Sequence, residues 1–412
     1  MKLKIDAARL TSEIDTLAAF SDAEAPAVTR IVFSPTDMKA RSWLKGRCVE
    51  SGLAVREDAI GNTFLRWVGS DAAAPAVGTG SHIDAIPNAG KYDGVVGVLG
   101  GLEAIRALQH SGFRPRHSME LVVFTAEEPT RFGIGCLGSR MLSGKLPPDA
   151  ARKLRDNEGA ALDQVRQKAG IPGELEAVRL SRDYYKAFVE LHIEQGPLLE
   201  RQCLPLGIVS SIAAPASLRM AVEGSGGHAG AVLMSERQDA LCAAAELVLA
   251  VENAAHATKA ADTVATVGVC DVFPGAVNSI PSRVRVSLDI RDTDLERRNA
   301  VVDEIEEAGR RIAAKRRVSI ASEVVNADAP ANCSKLVIEA LSQACDTHNL
   351  KHISMVSRAY HDSLFMSHIA PTGMVFIPCR NGYSHRPDEY ASPEDIARGT
   401  LVLAETLATL AG

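Results

Sequence analysis

The chain has 412 residues, more than one hydrophobic core commonly serves, so two domains are expected. Its net charge of -6, with acidic and basic residues intermixed, excludes the basic field that nucleic acids and anionic membranes recruit. The N-terminus, Met1-Lys2-Leu3-Lys4-Ile5-Asp6, has no apolar signal core and no run approaches the length needed to cross a bilayer, so a soluble protein of the cytoplasm is expected.

In chain order, Ala76 to Ser81 reads as a short strand whose end delivers His82 and Asp84. From Gly94 the apolar residues Val95, Val98, Leu99, Leu102, Ile105 and Leu108 recur at three- and four-residue steps. That spacing predicts a helix starting just after Asp93, whose carboxylate then meets the favourable end of the helix dipole. Leu121-Val122-Val123-Phe124 has the continuous apolar character of a buried parallel strand, and Glu127-Glu128 follow it. In the next strand Phe188, Glu190 and His192 share one face and Val189, Leu191 and Ile193 the other. Alternating helix and strand signals predict a parallel-rich α/β sheet with its chemistry at the carboxyl ends of the strands.

At about Ala213 the pattern changes to strand (217–223), helix (237–252), strand (264–272), strand (284–291), helix (296–314) and strand (318–324), the β-α-β-β-α-β order of a ferredoxin-like fold. Strict alternation of Val284, Val286, Leu288 and Ile290 with Arg285, Ser287, Asp289 and Arg291 supports it. Beyond Asp328-Ala329-Pro330 the α/β character resumes, with a helix near 335–349, a strand at 374–378 and a final helix capped by Ser392 and opened by Pro393. The expected organisation is a discontinuous catalytic domain, 1–212 with 328–412, carrying an insert at 213–327. The eight cysteines form no C-x-x-C pair and are expected as buried, reduced thiols.

His82, Asp93, Glu128, His192 and His385 each sit where a hydrophobic segment gives way to a Gly- or Pro-punctuated turn. Imidazole and carboxylate without thiolate suit zinc or manganese. In the Glu127-Glu128 pair one carboxylate can bind metal while its neighbour takes a proton from the activated water. Asp84, two residues past His82, is spaced to orient that imidazole. Taken singly, each histidine is more often a hydrogen-bonded core or surface residue, a Glu-Glu pair a solvated turn, and an Asp there a turn cap. Their joint placement at strand ends is what favours a two-metal centre.

The strings Gly80-Ser81-His82-Ile83-Asp84-Ala85-Ile86-Pro87, Gly90-Lys91-Tyr92-Asp93-Gly94-Val95-Val96-Gly97-Val98, Glu127-Glu128-Pro129-Thr130-Arg131-Phe132, Leu191-His192-Ile193-Glu194-Gln195-Gly196-Pro197 and Gly226-Gly227-His228-Ala229-Gly230 together resemble the M20 metallopeptidase-like family, in its hydantoinase/carbamoylase amidase branch. The resemblance implies a zinc-peptidase-like α/β domain with an inserted dimerisation domain. By it, His82, Asp93 and His192 hold one divalent ion, Asp93, Glu128 and His385 a second, with Mn²⁺ favoured over Zn²⁺, and Glu127 is the general base. It places His228, Asn278, Arg291 and Gln195 in substrate binding, and His228 and Asn278 are expected to reach the partner's site in a homodimer. Branch members hydrolyse small ureido and amide acids, including N-carbamoyl amino acids, β-ureidopropionate, allantoate and ureidoglycolate. Ser357-Arg358-Ala359-Tyr360-His361-Asp362, where the carbamoylase pattern has glycine in place of Tyr360, looks like the ureidoglycolate-acting members, and puts Tyr360 near the substrate. Open alternatives are an allantoate or N-carbamoyl-amino-acid amidase, a dipeptidase or aminoacylase, disfavoured because His192 stands where an acidic ligand is expected there, and a non-catalytic metal-binding protein.

Overall fold

The computed structural model describes residues 3–412, so Met1 and Lys2 of the N-terminal reading lie outside the described residues. The chain divides into two compact units: Met1–Ser210, Asn332–Met355 and His361–Gly412 form one, and Ser211–Ala331 with Val356–Tyr360 the other. These boundaries lie within a few residues of 212/213 and 327/328. The exception is Val356–Tyr360, which joins the second unit because Ser357 accepts the Ala213 N–H, the Arg358 carbonyl accepts from Arg291, and the Tyr360 hydroxyl donates to Asp328.

In the first unit a nine-stranded sheet has at its centre four parallel neighbours, in the order Thr372–Ile377, Tyr185–Ile193, Ala76–His82 and Met119–Phe124. Antiparallel strands flank them, Leu206–Ile212 on one side and Thr63–Trp67 on the other. The central strands are apolar throughout because both faces are covered. Leu121 and Val123 enter one core with Leu99, Leu102 and Leu403, while Val122 and Phe124 enter another with Phe188, Leu137 and Met141. The predicted helix runs Val95–His110, and the last helix, Pro393–Ala411, is capped as read, with Ser392 accepting the Asp395 N–H. Gly97 lets the first of these lie on the sheet: a Cβ there would stand 2.4 Å from the Leu191 carbonyl oxygen.

The second unit is a four-stranded antiparallel sheet in the order Val264–Phe273, Arg283–Asp292, Ala214–Glu223, Ser319–Ala327, with helices Ala240–Ala257 and Leu295–Arg316. This is the ferredoxin-like arrangement the strand and helix order predicts. Val284, Val286, Leu288 and Ile290 are buried with Leu218, Val222, Leu247 and Ile305. Two expectations need correction. Ala240–Ala257 is long and apolar enough to cross a bilayer by length and composition, but it lays Ala243, Ala244, Leu247 and Val251 in this core. All eight cysteines are free, yet only Cys48, Cys136, Cys345 and Cys379 are buried; Cys242 and Cys270 are exposed, one on a helix and one on an edge strand whose side chains alternate between the core and solvent.

Candidate metal centre

The parallel strands end together, and the ligands leave from their carboxyl ends. His82 is the last residue of its strand, His192 the next to last of its own, and Glu127 and Glu128 follow Phe124. Asp93 occupies the turn before helix Val95–His110. His385 comes from the segment after Thr372–Ile377, in a left-handed backbone conformation with φ 60°.

Asp93 lies at the middle of the cluster. Its Oδ1 is 3.2 Å from His192 Nε2 and 3.6 Å from His82 Nε2, and its Oδ2 is 3.4 Å from His385 Nε2. Glu128 Oε1 completes the second group, 3.3 Å from His385 Nε2. Donors about 2.1 Å from one tetrahedral ion stand about 3.4 Å apart, so both groups have cation-sized spacing and share one carboxylate. His82 Nδ1 lies 3.0 Å from the Asp84 carbonyl and His192 Nδ1 2.9 Å from the Ile193 carbonyl. A carbonyl only accepts, so each Nδ1 carries hydrogen and each Nε2 presents its lone pair. The Gly94 N–H donating to His192 Nε2 at 3.1 Å agrees with that tautomer. A third possible group, Glu190, His192 and His361, is already committed: Glu190 accepts from the hydroxyls of Ser81 and Ser363.

Without cations Glu127 and Glu128 are both pushed towards their protonated forms. Burial first, then the neighbouring Asp93 charge, pushes Glu128 up to about 7. Glu127 is held well above the usual carboxylate range by burial and by the charges of Glu128, Asp362 and Asp93, against the pull of His82. Asp93 goes the other way: burial opposes its charge, but the imidazoles of His192, His385 and His82 gathered around it hold it well below the usual carboxylate range. Its bond to Asp93 raises His385 to about 9. A pocket in which protons neutralise closely packed acids is one that divalent ions can neutralise instead.

Glu127 Oε2 lies 3.7 Å from His82 Nε2, beside the first group. The turn that carries it is tightly held. Ala126 is left-handed at φ 52°, and the N–H groups of Cys136, Leu137 and Gly138 donate in succession to the carbonyls of Glu127, Ala126 and Thr125. The Cys136 thiol donates to Glu127 Oε1 at 3.4 Å. Asp84 behaves differently from expectation. Its Oδ1 is 3.8 Å from His82 Nδ1, too far for a hydrogen bond, because its own carbonyl already fills that position. Instead its two oxygens accept the N–H groups of Glu127 at 3.3 Å and Glu128 at 3.0 Å.

Gln195, read as a substrate contact or as loop packing, donates its amide to Asp93 Oδ2 at 2.6 Å. The second unit brings His228 and Asn278 together, since the strand pair Gly227–His228 and Ser279–Ile280 is closed by the Ala229 N–H on the Asn278 carbonyl. Arg291 lies on the other end of the sheet with its guanidinium on Asp289, 2.7 Å away. The Tyr360 hydroxyl is donated to Asp328. Sequence reasoning missed Cys136, Ser384 and Glu389. The Ser384 hydroxyl lies within hydrogen-bond reach of both Asp93 Oδ2 and Glu389, with one hydrogen to serve the two, and Glu389 accepts the N–H groups of Tyr92 and Asp93. In sequence Glu389 is one of two adjacent acids in a polar turn, and Asp388 beside it only pairs with exposed Arg386. Nothing local separates them.

The chain is 52% identical over 99% of its length, and 87% of the other, to a ureidoglycolate hydrolase of Arabidopsis thaliana. It is 39% identical to an N-carbamoyl-L-amino-acid amidohydrolase of Pseudomonas sp. (strain NS671), over 97% of each chain. The crystal structure of AtUAH in complex with glyoxylate superposes with a TM-score of 0.91 at 51% identity, covering 99% of this chain and 98% of that one. The profile of peptidase family M20/M25/M40 matches residues 78–409, and the chain belongs to that family.

Proposed function

We propose that this protein is a binuclear metal-dependent amidohydrolase that cleaves the ureido C–N bond of ureidoglycolate in purine degradation, in the cytoplasm. The observation that carries the chemistry is the pair of ligand groups sharing Asp93, with the Glu127 carboxylate beside them. The ureidoglycolate hydrolase relative, 52% identical, supports the choice of substrate, and the free state of all eight cysteines suits a reducing compartment.

His82, Asp93 and His192 would hold one ion and Asp93, Glu128 and His385 the other, Mn²⁺ before Zn²⁺. When bound, the ions supply charge that polarises the ureido carbonyl and acidifies the attacking water. Glu127 takes the proton of that water and returns it to the departing nitrogen. The terminal C–N bond breaks to ammonia, the carbamate left behind loses carbon dioxide, and the remaining hydroxyglycine loses a second ammonia to give glyoxylate. Arg291 reads the substrate carboxylate in place of Asp289, Tyr360 stands beside it, and His228 donates to the oxyanion.

A geometric argument favours a homodimer. Strand Arg283–Asp292 separates Arg291 from the His228 and Asn278 pair, which lies beyond Arg283. Eight residues of strand span about 26 Å, several times the length of a small ureido acid. His228 and Asn278 would therefore serve the site of a partner chain. Strand Val264–Phe273 offers the interface: it is a sheet edge on which Val264, Val269 and Phe273 are 40%, 46% and 53% exposed.

Ammonia release from ureidoglycolate, allantoate, N-carbamoyl-L-amino acids and β-ureidopropionate, with Mn²⁺- or Zn²⁺-loaded protein, tests the substrate. Preference for another member would move the assignment within the branch, and no release from any would refute the amidase. Mixing inactive His228→Ala and Arg291→Ala dimers tests the shared site: reassortment should restore about a quarter of wild-type activity, and none would return if both residues served their own chain.

A further inference from the structure

The two ligand groups are not held equally. His82 and His192 sit at the ends of sheet strands, and each has its Nδ1 fixed by a carbonyl one or two residues away. His385 is on a loop, with 47% of its side chain exposed and a left-handed backbone. What ties that loop to the rest of the centre is Glu389, itself only 5% exposed. One oxygen of Glu389 accepts the N–H groups of Tyr92 at 2.8 Å and Asp93 at 3.0 Å, and the other accepts the Ser384 hydroxyl at 2.9 Å. Ser384 adjoins His385, and its hydroxyl oxygen also lies against Asp93 Oδ2, the oxygen of the second group. Tyr92 and Tyr390 add an edge-on ring contact, 6.0 Å between centroids, across the same seam. Space is made for this one side chain: a Cβ on Gly90 would come within 2.3 Å of it.

We infer that Glu389 is a positioning residue that couples the His385 loop to the backbone of Asp93, and so sets the affinity of the second ion, held by Asp93, Glu128 and His385, far more than that of the first, to which it is linked through Asp93 alone. The inference rests on the proposed two-metal centre. Glu389 belongs to neither ligand group. Its carboxylate holds Asp93 from behind through the peptide N–H groups while its other oxygen fixes Ser384, and with it the distance from Asp93 Oδ2 to His385. Losing it frees the loop, whereas the strand-borne His82 and His192 keep their geometry. Partners of this kind commonly contribute 10–100-fold in metal affinity.

The test is Mn²⁺ titration of the metal-stripped full chain, followed by calorimetry and by electron paramagnetic resonance, in wild type, Glu389→Ala, Glu389→Gln and Glu120→Gln. Glu120 is a comparison: a buried carboxylate of the same sheet, bonded to Tyr185 and Arg66 outside the cluster. Glu389→Ala should bind the second ion about 10–100-fold more weakly and the first with a much smaller loss, with loss of the spin-coupled pair signal and recovery of turnover at high Mn²⁺. Glu389→Gln keeps an acceptor for the two N–H groups but not both contacts, and should fall between. Glu120→Gln should lower the melting temperature while leaving both affinities unchanged. Equal weakening of both ions, or of neither, in the Glu389 variants overturns the inference. A wild-type protein that binds fewer than two ions refutes the centre itself.

Discussion

Removing the Asp84 carboxylate separates two roles that sequence spacing alone cannot. Its oxygens receive the N–H groups of Glu127 and Glu128, at 3.3 and 3.0 Å, in a site where Asp84 is 1% exposed. A hydrogen bond to a charged acceptor contributes about 1.5–3 kcal/mol, so the shorter bond and the longer one together hold this turn by about 3–4 kcal/mol. If relaxation of the turn draws that energy from placement of the base and of the Glu128 ligand, Asp84→Ala should lower kcat about 10²–10³-fold. Asp84→Asn, which keeps one acceptor, should lose about tenfold. The assay is steady-state turnover of metal-loaded variants, with metal content and melting temperature measured on the same samples. His82 keeps the Asp84 carbonyl in both variants, so affinity for the first ion should hold. Loss of that ion with normal kcat after reloading would show that the carboxylate orients His82 after all, and would refute the reasoning.

Glu127→Gln should leave metal content unchanged and cut kcat about 10²–10⁴-fold with little change in KM; unaltered turnover would remove Glu127 as the base. Gly138→Ala places a Cβ 2.0 Å from Asn62 Oδ1 and 2.7 Å from the Thr125 nitrogen, in the ladder that holds the Glu127 turn. It should destabilise the fold by about 1–3 kcal/mol and lower activity, measured by urea denaturation and turnover. In the metal-free protein Glu128 titrates near 7 and His385 near 9, both above their ordinary values, so protons occupy the second group and must leave as the ion binds. Apparent affinity for the second ion should therefore rise with pH, most steeply below about 7 and less steeply up to about 9, and level off above it, and a flat titration below about 9 would contradict the arrangement.

The sequence determined what is periodic or punctuated. Leu121 to Phe124 reads as a buried strand, the three- and four-residue steps from Val95 as a helix with one apolar face, and the alternation from Val284 as the inner face of the small sheet, and each forms as read. Because strands of a parallel sheet end side by side, the residues at and just beyond those ends, His82, Glu127, Glu128 and His192, are legible as neighbours from the strand pattern alone. Short-range hydrogen bonding is not. Asp84 and its own carbonyl compete for His82 Nδ1, and only the backbone angle at the strand end decides between them. Gln195 and Glu389 are drawn to Asp93 from residues far along the chain, and Tyr360 to Asp328, by contacts that no local pattern encodes. Nor does alternation along Arg283–Asp292 say how far Arg291 lies from His228: that follows from a strand too long for one small substrate to bridge, a distance only the folded sheet supplies.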